Sequence, residues 1–584
     1  MKKFLQVFLG SMAAIWVSVG LLFLGFFVLI VASIASSFSS GNTPAKIQDR
    51  SILYIDLSKE VTDRPTVGNI FDELQGGSLQ TLAVNNTVLA LDAATKDKRI
   101  EGAYIYCGGG SAGQAQAQEI INALKRFKQA DKWVYAYGDN YTQDNYFIAS
   151  VADSVFLNPI GGVDLHGLSA TTLYFRQLLE KVGIEAQVVK VGTYKSAVEP
   201  FMLDSMSEPS RLQQQVYLGN IWKQIAGQIA KNRGLSLEKV NAVADTLPAF
   251  MPAEFLLKEK LVDRLAYRHE VDEMLKEKTD HDDLVLISPD EYCKANDVEK
   301  IDGGGDKTIA VLYAVGNITE NGEDGIASEK LVPEILDLAE NEDIDGLILR
   351  VNSGGGSAFA SEQIWEALEQ FKKISKKPYY VSMGDVAASG GYYISCGANK
   401  IYAEAVTLTG SIGIFGIIPS AKKLINDLGV NTGTVATNPK GSLPTLMDPM
   451  TPIQRAAMQG YVDRGYDLFT KRVAEGRHIS QDSVKVIAEG RVWDGQSALN
   501  IGLVDKLGGL DTALRDMAAE IGAENGYEIS EFPSLKFKWW EEILSLDTQL
   551  KAWALGESYP LYQSLESVRN MSVLQCRMDF ITLE

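Results

Sequence analysis

Ala387-Ala388-Ser389-Gly390-Gly391 places a hydroxyl between residues with almost no side chain. Such a turn lets the backbone bend sharply and lets a carbonyl approach the serine closely. A helical run, Tyr392–Cys396, follows. The first amides of a helix have no intrahelical acceptor and favour negative charge. The Gly390 N–H is therefore suited to hold an oxyanion that forms when the Ser389 hydroxyl attacks a carbonyl. The plainer alternative is a tight turn with no chemistry. Position 387 is alanine, so the Gly-x-Ser-x-Gly hydrolase elbow is absent.

A second glycine cluster, Val351-Asn352-Ser353-Gly354-Gly355-Gly356-Ser357, follows an apolar strand and precedes a helix. Three glycines can turn backbone amides toward an anion, so a phosphate cradle competes with an oxyanion loop. The chain has neither a P-loop motif nor a Gly-x-Gly-x-x-Gly with a matching acidic residue, which argues against nucleotides. A net charge of −20 argues against a nucleic-acid partner, because phosphate binding needs basic surface.

A serine nucleophile needs a base. Of the four histidines, His269, His281 and His478 sit in charged, polar surroundings. His166, in Asp164-Leu165-His166-Gly167, suits a structural role, so a Ser-His-Asp triad is poorly supplied. A lysine serves instead where its surroundings keep the amine neutral. Lys195, in Gly192-Thr193-Tyr194-Lys195-Ser196-Ala197 after the apolar strand Gln187–Val191, has few charged neighbours. Lys440, in Asn438-Pro439-Lys440-Gly441, occupies the matching region of a second copy of the pattern. These residues alone leave both lysines open.

The elements that must position these groups occur twice. Residues 100–139 and 344–385 tell the same story, with Gly138-Asp139 aligned to Gly384-Asp385, and Ser389 falls opposite Gln143. Such long-range self-similarity reads as two homologous domains, not as a solenoid. Apolar runs Ile52–Leu57 and Ile309–Val315 open the copies. Each continues with a short strand, glycines, a helix (Gln114–Phe127 or Ser361–Phe371) and another strand (Trp133–Tyr137 or Tyr379–Met383). That order predicts α/β units with parallel strands. A nucleophile in one copy and a base in the other would divide the site between them.

Residues 4–35 carry no charge and exceed the ~20 residues that cross a bilayer. Lys2 and Lys3 precede them, so a retained anchor would leave the rest of the chain outside. A cleaved signal peptide is the alternative, but the apolar run is about twice the usual length. Residues 36–50 read as a tether, 51–301 as the first repeat, 302–306 as a Gly-rich linker and 307–530 as the second repeat. Residues 531–584, with Trp539, Trp540 and Trp553, form an amphipathic tail suited to its own domain, a membrane surface or another subunit. Cys107, Cys293, Cys396 and Cys576 form no CxxC pair, so metal and redox sites are not expected.

Together these pieces resemble the signal peptide peptidase A family, also called protease IV, in its long duplicated form. GTYKSAVEPF around Lys195, AASGGYYIS around Ser389 and TLTGSIGIFG at 407–416 carry the resemblance, which covers about residues 1–530. It implies Ser389 as nucleophile, Lys195 as general base, Ser411 as the hydroxyl orienting the lysine, and the Gly390 and Gly355 amides as oxyanion donors. The family commonly reads Ser-Pro-Gly-Gly where this chain has Ser353-Gly354-Gly355-Gly356, which loosens the loop behind Gly355. The implied fold is α/β, with two tandem Clp-protease/crotonase-like domains of repeated β-β-α units behind an N-terminal transmembrane helix. The implied protein is a single-pass protease of the bacterial inner membrane, with its catalytic domains on the periplasmic side. It would assemble as a homo-oligomer, a tetramer by resemblance, and degrade released signal peptides and other extended hydrophobic peptides. No cofactor or metal is implied. The alternatives are an inactive membrane scaffold of the same fold and a crotonase-type acyl-CoA enzyme.

Overall fold

The computed structural model describes residues 47–65, 81–322, 325–438, 441–534 and 575–578, with Met12, Trp16, Ser18, Gly20 and Gly25. The first repeat is built on a parallel sheet of six strands. Their spatial order is Arg264–Leu265, Ser154–Leu157, Trp133–Gly138, Ile100–Cys107, Ser51–Asp56 and Leu286–Ile287. Helix Gln114–Gln129 covers it, burying Ile120, Ile121, Leu124 and Phe127. That spacing is the apolar stripe of a helix laid on a sheet.

The second repeat repeats the plan. Parallel strands Tyr527–Phe532, Thr308–Val315, Gly346–Ser353, Tyr379–Ala388, Lys400–Ala403 and Lys506–Leu507 lie side by side. Gly346–Val351 is buried throughout, as expected of a central strand covered on both faces. Helix Ala358–Ser375 extends the expected span at both ends, and strand Tyr379–Ala388 runs five residues beyond Met383. That extension carries the strand up to Ser389. The segment around residues 302–306 runs as a turn, and Lys300–Ile301 beside it pairs antiparallel with Tyr527–Phe532.

The repeats share one interior. Ile120 and Leu124 from the first and Ile348, Leu514 and Met517 from the second belong to the same buried cluster. A buried charge crosses the seam. Arg350, 1% exposed, donates from Nε to Asp63 (2.8 Å) and from Nη2 to Glu119 (2.6 Å). Its Nη1 donates to Ser382 Oγ at 3.0 Å. Burial opposes the guanidinium charge, but Glu119 and Asp63 outweigh it and raise the pKa. Asp385 of the second repeat reaches the start of helix Gln114–Gln129 and accepts from the Ala115 amide at 2.8 Å. A Cβ on Gly113 would lie 2.1 Å from that carboxyl, so glycine is required there. Burial, reinforced by the Asp63 charge, pushes Asp385 up to about 6.

A third sheet runs across both repeats in the order Ile326–Ala327, Ile318–Thr319, Gly355–Ser357, Gln575–Arg577, Phe415–Ser420, Glu185–Lys190. Its last pair joins the repeats, with Phe415 opposite Lys190 and Ser420 opposite Glu185. Among the described residues no helix is long and apolar enough to cross a membrane. The expected anchor at 4–35 and tether at 36–50 lie outside the described residues, except for residues 47–50 and the five isolated positions, which are helical and exposed. Trp539, Trp540 and Trp553 also lie outside them.

Arg350→Met leaves the buried Asp63 and Glu119 without their counter-charge and is expected to cost about 3–5 kcal/mol. Arg515→Met, at a surface pair, should cost under about 1 kcal/mol. Thermal melting of the two variants checks this: equal melting temperatures would show that the Arg350 junction is not structural.

Candidate active site

Ser389 and Ser411 stand at the ends of neighbouring strands. Parallel pairing sets Ala388 of Tyr379–Ala388 against Gly410 of Leu408–Gly410, so the next residue of each is a serine. Both leave the strand with positive φ, Ser389 at 56° and Ser411 at 50°. Such backbone is strained for a residue with a side chain and is kept where the surroundings hold it. Ser389 N–H donates to Gly410 O (2.8 Å) and Ser411 N–H to Arg491 O (2.7 Å). Helix Gly390–Ser395 starts directly after Ser389, two residues earlier than the sequence suggests. The strand–turn–helix geometry of a nucleophile elbow is thus present without its glycine signature.

Lys195 arrives from the other repeat. Strand Glu185–Lys190 docks on Phe415–Ser420, and the chain then turns back along Glu489-Gly490. Tyr194 N–H donates to Glu489 O at 2.9 Å. Gln213 clamps this crossing: its Nε2 donates to Tyr194 O (2.9 Å) and Ser196 Oγ (3.0 Å), and its Oε1 accepts from Val492 N–H (3.2 Å).

Within one chain, Lys195 Nζ lies 2.7 Å from Ser389 Oγ, 3.0 Å from Ser411 O and 3.1 Å from Ser411 Oγ. Lys195, Ser389 and Ser411 are 1%, 0% and 2% exposed. The Phe415 ring centroid is 5.9 Å from Nζ. Burial of this kind disfavours a charged ammonium. A neutral amine carries two N–H groups and one lone pair. The Ser411 carbonyl and hydroxyl can take the two hydrogens, which aims the lone pair at the Ser389 O–H.

The remaining expected residues are less closely gathered. Gly390 opens its helix beside Ser389. Gly355, at φ 98°, donates its amide to Ser353 Oγ at 3.1 Å and belongs to the third sheet. Lys440 lies outside the described residues. His166 is half-exposed: its Nε2 is 3.7 Å from Asp164, and its backbone amide donates to Gln143 Oε1. Gln143 stands where Ser389 stands in the other copy, and there it fixes a loop.

Gln213, Gly490 and Arg491 were not legible as site residues. Gln213 sits in a polar helical stretch, Leu212-Gln213-Gln214-Gln215, with nothing local to single it out. Gly490 shows only as a glycine before a strand, although a Cβ there would lie 2.7 Å from Lys195 Cβ.

Two related α/β repeats that join a buried lysine to a buried serine point to a hydrolase of the serine class. Residues 126–282 and 371–524 match the sequence model of Peptidase family S49, and the chain belongs to that family. It is a serine peptidase, which sets aside the acyl-CoA alternative. It is similar to "Protease 4" of Salmonella typhi, at 34% identity over 85% of this chain and 82% of the relative. It is also similar to "Protease 4" of Haemophilus influenzae, at 31% identity over 96% and 93%. A third relative, "Serine protease SPPA, chloroplastic" of Arabidopsis thaliana, is 30% identical over 76% and 67%.

Gly490→Ala adds a methyl against Lys195 at a left-handed residue. It is expected to lower kcat/KM about 100-fold, the scale of a 1 Å misplacement. Gly429→Ala, equally left-handed at φ +82° but with nothing within 4 Å of its Cβ, separates backbone strain from displacement of the amine. Its kcat/KM should stay near wild type; equal losses in both variants would contradict the packing argument.

Proposed function

We propose that the chain is a membrane-anchored endopeptidase in which Ser389 is the nucleophile and Lys195 its general base. The observation that carries this is the 2.7 Å contact between their side chains in a buried site. Neutral Lys195 takes the Ser389 proton as Oγ attacks the peptide carbonyl. Ser411 holds the amine in line through its carbonyl and hydroxyl. The Gly390 amide receives the oxyanion, and Gly355 joins it once its N–H leaves Ser353 Oγ. The Lys195 ammonium then protonates the leaving amine, and water, activated by the same amine, releases the acyl group.

The substrate reading follows the relatives. One similar protein is called "Putative signal peptide peptidase SppA" (Enterococcus faecium, 34% identical over 38% of this chain). Released signal peptides and other extended apolar segments are the substrates proposed here. The uncharged residues 4–35 support a single-pass anchor, and the paired lysines before them support catalytic domains on the outer face of the inner membrane. Assembly into a homo-oligomer, a tetramer by resemblance, belongs to the same reading.

Ser389→Ala and Lys195→Ala are each expected to lower kcat on an apolar peptide by on the order of 10⁴-fold. The wild-type activity should sediment with washed membranes. Full activity in Ser389→Ala would refute the nucleophile. A near-wild-type Lys195→Ala beside an inactive Lys440→Ala would move the base to the second repeat.

A further inference from the structure

One strand of the third sheet comes from neither repeat. Gln575–Arg577 lies between Gly355–Ser357 and Phe415–Ser420, antiparallel to both. Gly355 faces Arg577, Gly356 faces Cys576, and Ser357 and Phe415 both face Gln575. The Met578 amide donates to Gly354 O at 2.7 Å. Without this strand the sheet would present two open edges, one from the glycine loop and one from the strand that carries Phe415. Open edges of this kind take up extended peptides by strand addition.

The strand also delivers a side chain to the site. Met578 is 8% exposed. It lines a cavity with Lys195, Ser411, Tyr194, Tyr217 and Val492, in which about 10 Å³ of space is left. An unbranched thioether is a flexible filler for such an irregular recess.

The geometry points to self-occupancy: Gln575–Met578 lies where an extended peptide substrate pairs with Gly355–Ser357 and Phe415, and Met578 fills the side-chain pocket beside Lys195. The C-terminal segment therefore keeps the cleft closed until it is displaced, and the pocket it fills suits an unbranched apolar side chain of the substrate. This rests on the peptidase reading above. A strand tethered to its own site acts at an effective concentration of order mM. Substrate binds only the fraction of molecules whose cleft is open, so the tail raises the apparent KM and leaves kcat unchanged.

Met578→Pro in the full chain removes the amide that donates to Gly354 and the side chain that fills the pocket. A chain ending at Asn570 removes the strand altogether. Both are expected to show kcat/KM on an extended apolar peptide raised roughly tenfold at constant kcat. Amide exchange at Gly355–Ser357 should be faster in both. A labelled peptide of residues 572–580 should bind the shortened chain and not the full one, which fluorescence anisotropy reads without any turnover. Unchanged kcat/KM in both variants, with Ser389 still labelled by a fluorophosphonate, would overturn the proposal. So would failure of the labelled peptide to bind the shortened chain. Binding of that peptide by a shortened chain whose Ser389 never labels would support the strand site and count against the peptidase reading instead.

Discussion

A guanidinium taken out of water must be answered by carboxylates, and in this chain the answer comes from the other repeat. Arg350 lies on the strand that leads into the glycine loop, and its partners Asp63 and Glu119 belong to the first copy. A buried ion pair adds little net stability, but separating it leaves uncompensated charge in the interior. The two repeats are therefore held in one relative placement. Asp385 adds a second tie by accepting from the first turn of a helix in the first copy. Its strand runs on to Ser389.

That placement is what turns two incomplete copies into one site. The second repeat supplies two serines at the ends of paired strands. The first supplies a lysine on a segment that crosses over and pairs with the second. The 2.7 Å contact between Nζ and Oγ depends on both sheets keeping register. Close approach at Gly490 and the clamp by Gln213 narrow the positions open to Lys195. At the position that matches Ser389 the first copy has Gln143, whose side chain holds the His166-Gly167 loop.

Much of this was legible in the chain itself. The duplication, the strand–glycine–helix order and the candidacy of Ser389, with Lys195 or Lys440 as its base, follow from local pattern, because small-residue turns and apolar periodicity are local properties. Choosing between Lys195 and Lys440 took the family motif, since both stand in matching regions of the two copies. Arg350 was not legible: an arginine at the end of an apolar strand ordinarily reads as the point where the strand meets water. Gln213 and the strand at Gln575–Arg577 were hidden for a related reason. Their roles are set by partners hundreds of residues away, or by a sheet edge that no local period announces.

The 2.7 Å contact joins the two halves of one chain into a complete site. Mixed assemblies of Ser389→Ala and Lys195→Ala chains, co-expressed and assayed on an apolar peptide, test it directly. Each such chain lacks one of the two groups, so the mixture is expected to stay as inactive as either parent. Activity recovered in the mixture would mean that the lysine of one chain serves the serine of another, and would contradict it.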